Sequence, residues 1–221
     1  MTTLSAVPVA PLLDRLFAEA DAASPRDNPA FADIGPDETR RLMQSKADYP
    51  RFYAALRDYA LPVSRGTGAL LYMLARSIGA TTIVEFGTSF GLSTLHLAAA
   101  LRDNGGGRLI ATEFEPSKLA RAQANLAEGA LSDLVEFREG DALQTLGRDL
   151  PATIDLVLLD GAKSLYPDIL DRLENRLRVG AIVVADNADC CPDYLARVRA
   201  VGGRYMSLPF GEDVELSMKV G

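Results

Sequence analysis

From Ser64 onward the chain alternates continuous apolar runs with amphipathic segments, and few folds satisfy that alternation. "TTIVEFG", "RLIATEF", "LVEFREG", "IDLVLLD" and "GAIVVADN" are short runs rich in Val, Ile and Leu. "GTGALLYMLARSIGA" precedes the first, and "LSTLHLAAALRDN", "PSKLARAQANLAEGA" and "YPDILDRLENRLR" lie between the others with helical spacing. A strand that is apolar throughout must be covered on both faces, and parallel neighbours need helical crossovers. The expected fold is therefore α/β: a doubly wound, mostly parallel sheet with helices on both faces. "RYMSLPF-GED-VELSMKV" reads as two strands about a tight turn, which adds a C-terminal antiparallel hairpin and brings the sheet to seven strands.

The first sixty residues differ. "APLLDRLFAEADAA" and "ETRRLMQSKADYPRFYAALRDYALP" have helical periodicity, the second interrupted at Pro50 and ended near Pro62, and "SPRDNPAFADIGPDE" between them is rich in turn residues. Residues 1–60 are expected to be a helical extension of the same domain, and 61–221 the sheet proper. Removing the residues before about Pro50 is expected to cost assembly or acceptor binding more than cofactor binding.

At 221 residues, 48% hydrophobic and 24% charged, the chain has the composition of one large globular domain. Its net charge of −7 argues against general nucleic-acid binding, because an acidic surface repels phosphates. "MTTLSAVPVAPLLDRLF" has no basic n-region of a secretory signal, and no apolar run reaches membrane-spanning length, so a cytoplasmic protein is expected. Cys190 and Cys191 are adjacent and the single histidine, His96, is remote from them, which leaves two reduced thiols and no zinc site. His96 lies in an apolar helix and is expected to pack.

In doubly wound folds ligands bind beyond the C-terminal ends of the parallel strands. Those ends carry Glu85-Phe86-Gly87, Glu113, Gly140-Asp141, Asp160 and Asp186-Asn187. An apolar strand gains nothing from a terminal acid, and this many in one crevice suggest a site. The turn "EFGTSFGLS" fails the G-x-G-x-x-G spacing of dinucleotide folds, since Ser89 and Leu92 stand where the second and third glycines belong. The cofactor is expected to lack a pyrophosphate. Glu85 would repel phosphate and suits an ammonium group, Glu113 suits ribose hydroxyls, and Asp141 with the Ala142 backbone lies where an adenine edge would sit. Together these describe S-adenosylmethionine.

The ordered set E-x-G-x-x-x-G-x-S, "TEFEP", "GDAL", "LLDGAKSLY" and "VVADN", from about Leu61 onward, resembles the class I O-methyltransferases of the catechol and caffeoyl-CoA type. The resemblance implies that Glu85, Gly87, Thr88 and Ser93 hold the methionine part and its turn, that Val63 covers it, and that Glu113 binds the ribose. It implies that Asp141 and Ala142 meet adenine and that Asp160 adjoins the cofactor. It implies a divalent metal, Mg²⁺ first, on Asp160, Asp186 and Asn187, a hard oxygen set, with Lys163 as general base. Partners implied are a small aromatic hydroxyl acceptor and a second copy of the chain as a homodimer. Gly161 and Ala162 depart from the family in being small and neutral, which implies fewer cofactor contacts and a wider site.

Blander roles stand beside these. Gly87 and Gly91 suit any tight strand-to-helix turn, Asp186-Asn187 could cap a helix, and Lys163 could be solvated. Tyr166 suits either packing or the site. Arg40, Arg41, Lys46, Arg51 and Arg57 read as a solvated helix face, or a site for a CoA ester or RNA. The alternative functions are methyl transfer to a CoA ester, RNA or protein, a regulatory binder of the same cofactor, and a nicotinamide-dependent oxidoreductase.

Overall fold

Strands β1 (Thr82–Phe86), β2 (Arg108–Glu113), β3 (Val135–Glu139), β4 (Ile154–Leu159) and β5 (Leu177–Ala185) run parallel in the computed structural model. Strands β6 (Tyr205–Phe210) and β7 (Val214–Lys219) form the expected antiparallel hairpin. The order is β3-β2-β1-β4-β5-β7-β6, so the last strand lies against β5 and the hairpin's first strand takes the edge. The residues described are 1–23, 25, 28, 34–211 and 213–221. Most of "SPRDNPAFADIGPDE" and Glu212 in the hairpin turn lie outside them.

Alternate residues of each strand face opposite sides. Ile83, Leu109, Leu156, Leu158 and Val184 pack with helices α4 (Arg65–Ser77), α5 (Leu92–Asp103) and α6 (Pro116–Glu128). Val84, Ile110, Val157, Leu159 and Val183 pack with α8 (Tyr166–Leu173) and α9 (Pro192–Val198) on the other face. Both faces are covered, as the continuous apolar strands require. His96 takes the expected packed role: its Nδ1 lies 2.8 Å from the Leu92 carbonyl and its ring meets Phe17 edge-on. None of the described helices is long and apolar enough to cross a membrane.

The N-terminal helices divide into two roles that periodicity did not separate. Helix α1 (Val9–Ala22) buries Val9, Leu12, Leu13, Leu16 and Phe17 in the α4–α6 side of the core, and Thr3 and Tyr72 both bind Asp103. Truncation before Pro50 would therefore also strip core side chains, a stability cost beside the expected effects on assembly or acceptor binding. Helices α2 (Pro36–Gln44) and α3 (Tyr49–Ala55) instead lie near the segments that follow β4 and β5. The break between them falls at Ser45–Asp48, where the Ser45 hydroxyl accepts from the Ala47 and Asp48 amides. Pro50 sits in the first turn of α3, where its missing N–H is not needed, and so opens a helix instead of interrupting one.

Strand order reverses between β1 and β4, and there two glycines let the chain ends meet. A Cβ on Gly87, whose φ is +93°, would lie 2.6 Å from the Gly161 backbone. A Cβ on Gly161 would lie 2.5 Å from the Phe86 ring. The small residues after Asp160 thus do not widen the site at Gly161; the Phe86 ring, edge-on to Tyr166, fills the space. Gly161→Ala is expected to destabilise the protein by roughly 1–3 kcal/mol, as overpacking does. Adding Phe86→Leu should recover part of that loss, and urea unfolding of both single variants and the double variant measures the coupling.

Candidate active site

The β1–β4 switch point opens into a cavity of about 260 Å³, a small-molecule volume. Its walls come from successive strand ends: Phe86 and Gly87 after β1, Thr112 and Glu113 from β2, Gly140 to Ala142 after β3, and Asp160 to Ala162 after β4. Tyr49, Pro50 and Tyr53 of α3 form the opposite wall. Sequence reasoning overlooked these three, and also Ser89 and Lys118, because no motif marks a residue brought in from a separate helix.

Of the residues expected around a cofactor, Gly87, Glu113, Asp141, Ala142 and Asp160 line the cavity. Val63, Glu85, Thr88 and Ser93 do not. Val63 is buried in the α4–α6 core, and Leu61, two residues earlier, faces the cavity in its place. Glu85 points to the α5 face by strand alternation, opposite to Phe86, and is fully buried. Its carboxylate accepts from Ser93 Oγ at 2.6 Å, Thr94 Oγ1 at 2.6 Å and Thr88 Oγ1 at 3.1 Å. These contacts tie the turn to the start of α5.

Four amides of the turn have internal acceptors. Gly87 and Thr88 donate to the Thr112 carbonyl, Gly91 to the Thr88 carbonyl, and Ser89 to Glu113 Oε2 at 2.8 Å. Ser89 adopts φ +48°, the left-handed conformation that glycine would supply at this position of a dinucleotide turn. Paired in this way, these four amides are not offered to a phosphate. Glu113 Oε1 accepts from the Phe114 and Glu115 amides, both at 3.0 Å. Three of its roughly four acceptor positions are filled. An open position remains on Oε2, where Glu113 has room for a ribose hydroxyl. Lys118 is buried nearby and donates to Ser89 Oγ at 3.3 Å; burial lowers its pKa. Asp141 caps helix α7 (Ala142–Thr145) through the Leu143 amide at 2.9 Å.

At the tips of β4 and β5, Asp160 and Asp186 are buried against one another. Lys163 Nζ donates to Asp160 Oδ1 at 2.7 Å and lies 5.5 Å from the centre of the Tyr166 ring. Burial, then the Asp160 charge, pushes Asp186 up to about 8. Burial also raises Asp160, against the pull of Lys163. Lys163 is raised well above the usual lysine range: burial opposes its charge, but Asp160 and the neighbouring groups outweigh burial. Tyr166 is packed, not exposed to the cavity, and donates its hydroxyl to the Asp186 carbonyl at 2.7 Å. Asn187, at φ +48°, donates its side-chain N–H to Asp213 at 3.0 Å, which leaves its amide oxygen uncommitted to that contact.

No cluster of three His, Cys, Asp or Glu side chains with metal-binding geometry occurs among the described residues. The expected set contains only two acids, with an amide as its third member. The donor chemistry nonetheless fits a hard cation, because two buried carboxylates forced together keep a proton that a divalent ion would replace.

Comparison with known proteins agrees with the fold and the motifs. Residues 84–188 match the family model described as a methyltransferase domain. A catechol O-methyltransferase of Niastella koreensis is 35% identical over 131 residues, 58% of this chain and 58% of that protein. A catechol O-methyltransferase of Mycobacterium tuberculosis is 33% identical over 127 residues, 58% of this chain and 57% of the relative. The matched stretch thus spans less than two thirds of these relatives. The crystal structure of the O-methyltransferase TomG from Streptomyces achromogenes, in complex with S-adenosylmethionine, superposes with a TM-score of 0.65 at 26% identity, over 92% of this chain and 99% of that one.

The Glu85 brace generates a pH dependence. Burial raises Glu85 to about 7, against three hydroxyl donors that pull it down. Between its ordinary value of 4.5 and about 7 the folded protein therefore holds a proton that the unfolded chain has lost. Stability contributed by that proton is complete below pH 4.5 and is lost as pH rises through 7, by on the order of 3 kcal/mol. Thermal unfolding of the ligand-free protein at pH 5 and pH 7.5 should show the fall, and Glu85→Gln should make it smaller, the rest coming from Asp186, which burial raises to about 8.

Proposed function

We propose that this chain, a member of the class I O-methyltransferases of the catechol and caffeoyl-CoA type, transfers a methyl group from S-adenosylmethionine to a hydroxyl of a small catechol-like aromatic, with a divalent cation as helper. The observation that carries this is the convergence of Glu113, Ala142 and Asp160 on one cavity beneath a turn four of whose amides already have acceptors. That arrangement suits a nucleoside without a pyrophosphate and disfavours a nicotinamide dinucleotide.

Glu113 would accept a ribose hydroxyl on its open position, and the segment Gly140 to Ala142 would border the adenine. Asp160, Asp186 and the Asn187 amide oxygen would hold the cation. When bound, the sulfonium supplies the methyl group and the cation raises the acidity of the acceptor hydroxyl. Lys163, held as an ammonium by Asp160, would stabilise the acceptor oxygen as its proton leaves. It could itself take up that proton only once the charge of the two carboxylates is neutralised. The enclosed aromatic walls orient the acceptor oxygen, so that the new O–C bond forms as the S–C bond breaks. A homodimer belongs to the same proposal, and sedimentation at micromolar concentration tests it.

Methyl transfer from labelled S-adenosylmethionine to a panel of catechols, with Mg²⁺ or with EDTA, tests the proposal. EDTA-sensitive product is expected; product on no catechol would remove the acceptor class. Glu113→Ala is expected to weaken S-adenosylhomocysteine binding by about 1.5–3 kcal/mol in calorimetry. An unchanged affinity would place the ribose elsewhere.

A further inference from the structure

Helix α3 presents Tyr49, Pro50 and Tyr53 to the cavity, and packing does not account for one of their polar atoms. The Tyr53 hydroxyl is buried and makes no hydrogen bond of ordinary geometry among the described residues, although the Lys163 backbone amide faces it. An unpaired buried hydroxyl lowers stability, and folded chains leave few of them. The ring itself is well held, edge-on to Phe52 at 5.1 Å and packed against the cluster containing Ala162, Leu165 and Tyr166. A phenylalanine would satisfy that packing equally, so the hydroxyl needs another explanation. It sits close enough to Lys163 and Asp160 for their charges to act on it from opposite directions.

The helix that carries Tyr53 is tied down over the strand tips. Lys46 pairs with Asp168 at 2.5 Å, Arg40 with Asp189 at 3.0 Å, and Asn28 donates to the Ala55 carbonyl at 2.7 Å. These contacts join α2, α3 and their flanks to the segments after β4 and β5. Exposed pairs add little stability, but they fix where the tyrosine points.

We propose that Tyr53 positions the methyl acceptor: its hydroxyl hydrogen-bonds one hydroxyl of an ortho-dihydroxy aromatic ring that lies against Tyr49 and Pro50, which presents the other hydroxyl beside Lys163 and Asp160. The assignment presupposes methyl transfer to a catechol-like acceptor. It makes Tyr53 a determinant of which hydroxyl is methylated, because the two hydroxyls of an asymmetric catechol then occupy unlike places.

The test compares wild type with Tyr53→Phe on 3,4-dihydroxybenzoate and S-adenosylmethionine. Four quantities are read: kcat/KM for the acceptor, the ratio of the two monomethyl products, the Kd for S-adenosylhomocysteine, and Tm. Loss of one neutral hydrogen bond to the acceptor should lower kcat/KM about three- to tenfold. The product ratio should move towards equality, cofactor affinity should not change, and Tm should change little, since the deleted hydroxyl makes no hydrogen bond of ordinary geometry in the fold. An active wild type with unchanged kcat/KM and product ratio in the variant would overturn this assignment alone. A lowered Tm with an unchanged ratio would also overturn it, by making the hydroxyl structural. A wild type that binds S-adenosylhomocysteine but methylates no catechol would overturn the acceptor class, and this assignment with it.

Discussion

The contact of Gly87 with the backbone of Gly161 is the constraint on which the site depends. At the switch point the ends of β1 and β4 must diverge to opposite faces and still touch, and a Cβ at Gly87 would lie within 2.6 Å of the opposing chain. Because both residues are glycine, the Asp160 amide can donate to the Phe86 carbonyl at 2.8 Å, which fixes where Asp160 stands. The Phe86 ring then covers Gly161, and Tyr166 packs on Phe86 while bonding the backbone that carries Asp186. One close approach thus sets the spacing of both carboxylates.

Two acids that look alike in the sequence do different work. Glu85 and Glu113 both end or nearly end a strand beside the turn, yet only Glu113 reaches the cavity. Strand alternation points Glu85 under α5, where three hydroxyls take up its oxygens. Glu113 is bound by three amides, one of them from Ser89 in the turn, so it is held in place before any ligand arrives. Preorganisation of this kind lowers the cost of ordering the site on binding. The same hydrogen bonds consume the amides that a phosphate would need.

The electrostatics of the Asp160, Lys163 and Asp186 cluster follow from burial. Two carboxylates removed from water and set together cannot both stay ionised beside a single ammonium without a further cation. The cluster therefore holds Lys163 positively charged and keeps a proton on the acid pair. Tyr53 completes the enclosure from α3, a helix that belongs to neither the sheet nor its crossovers.

The sequence by itself determined the elements and their order. Runs such as "IDLVLLD" cannot be exposed on either face, so a covered parallel sheet with acids at its strand ends was readable without coordinates. The tertiary structure decided what depends on direction and on meeting across the chain. It sent Glu85 and Val63 inward, put α1 into the core, started a helix at Pro50, and filled the space beside Gly161 with Phe86. It set Lys163 beside Asp160 as an ammonium, since a pKa depends on the sum of all nearby charges and on burial, neither of which a motif carries. It also brought Tyr53 to the cavity from over a hundred residues away in sequence. Side-chain direction and long-range proximity are fixed only when the elements pack, which is why no spacing rule could supply them.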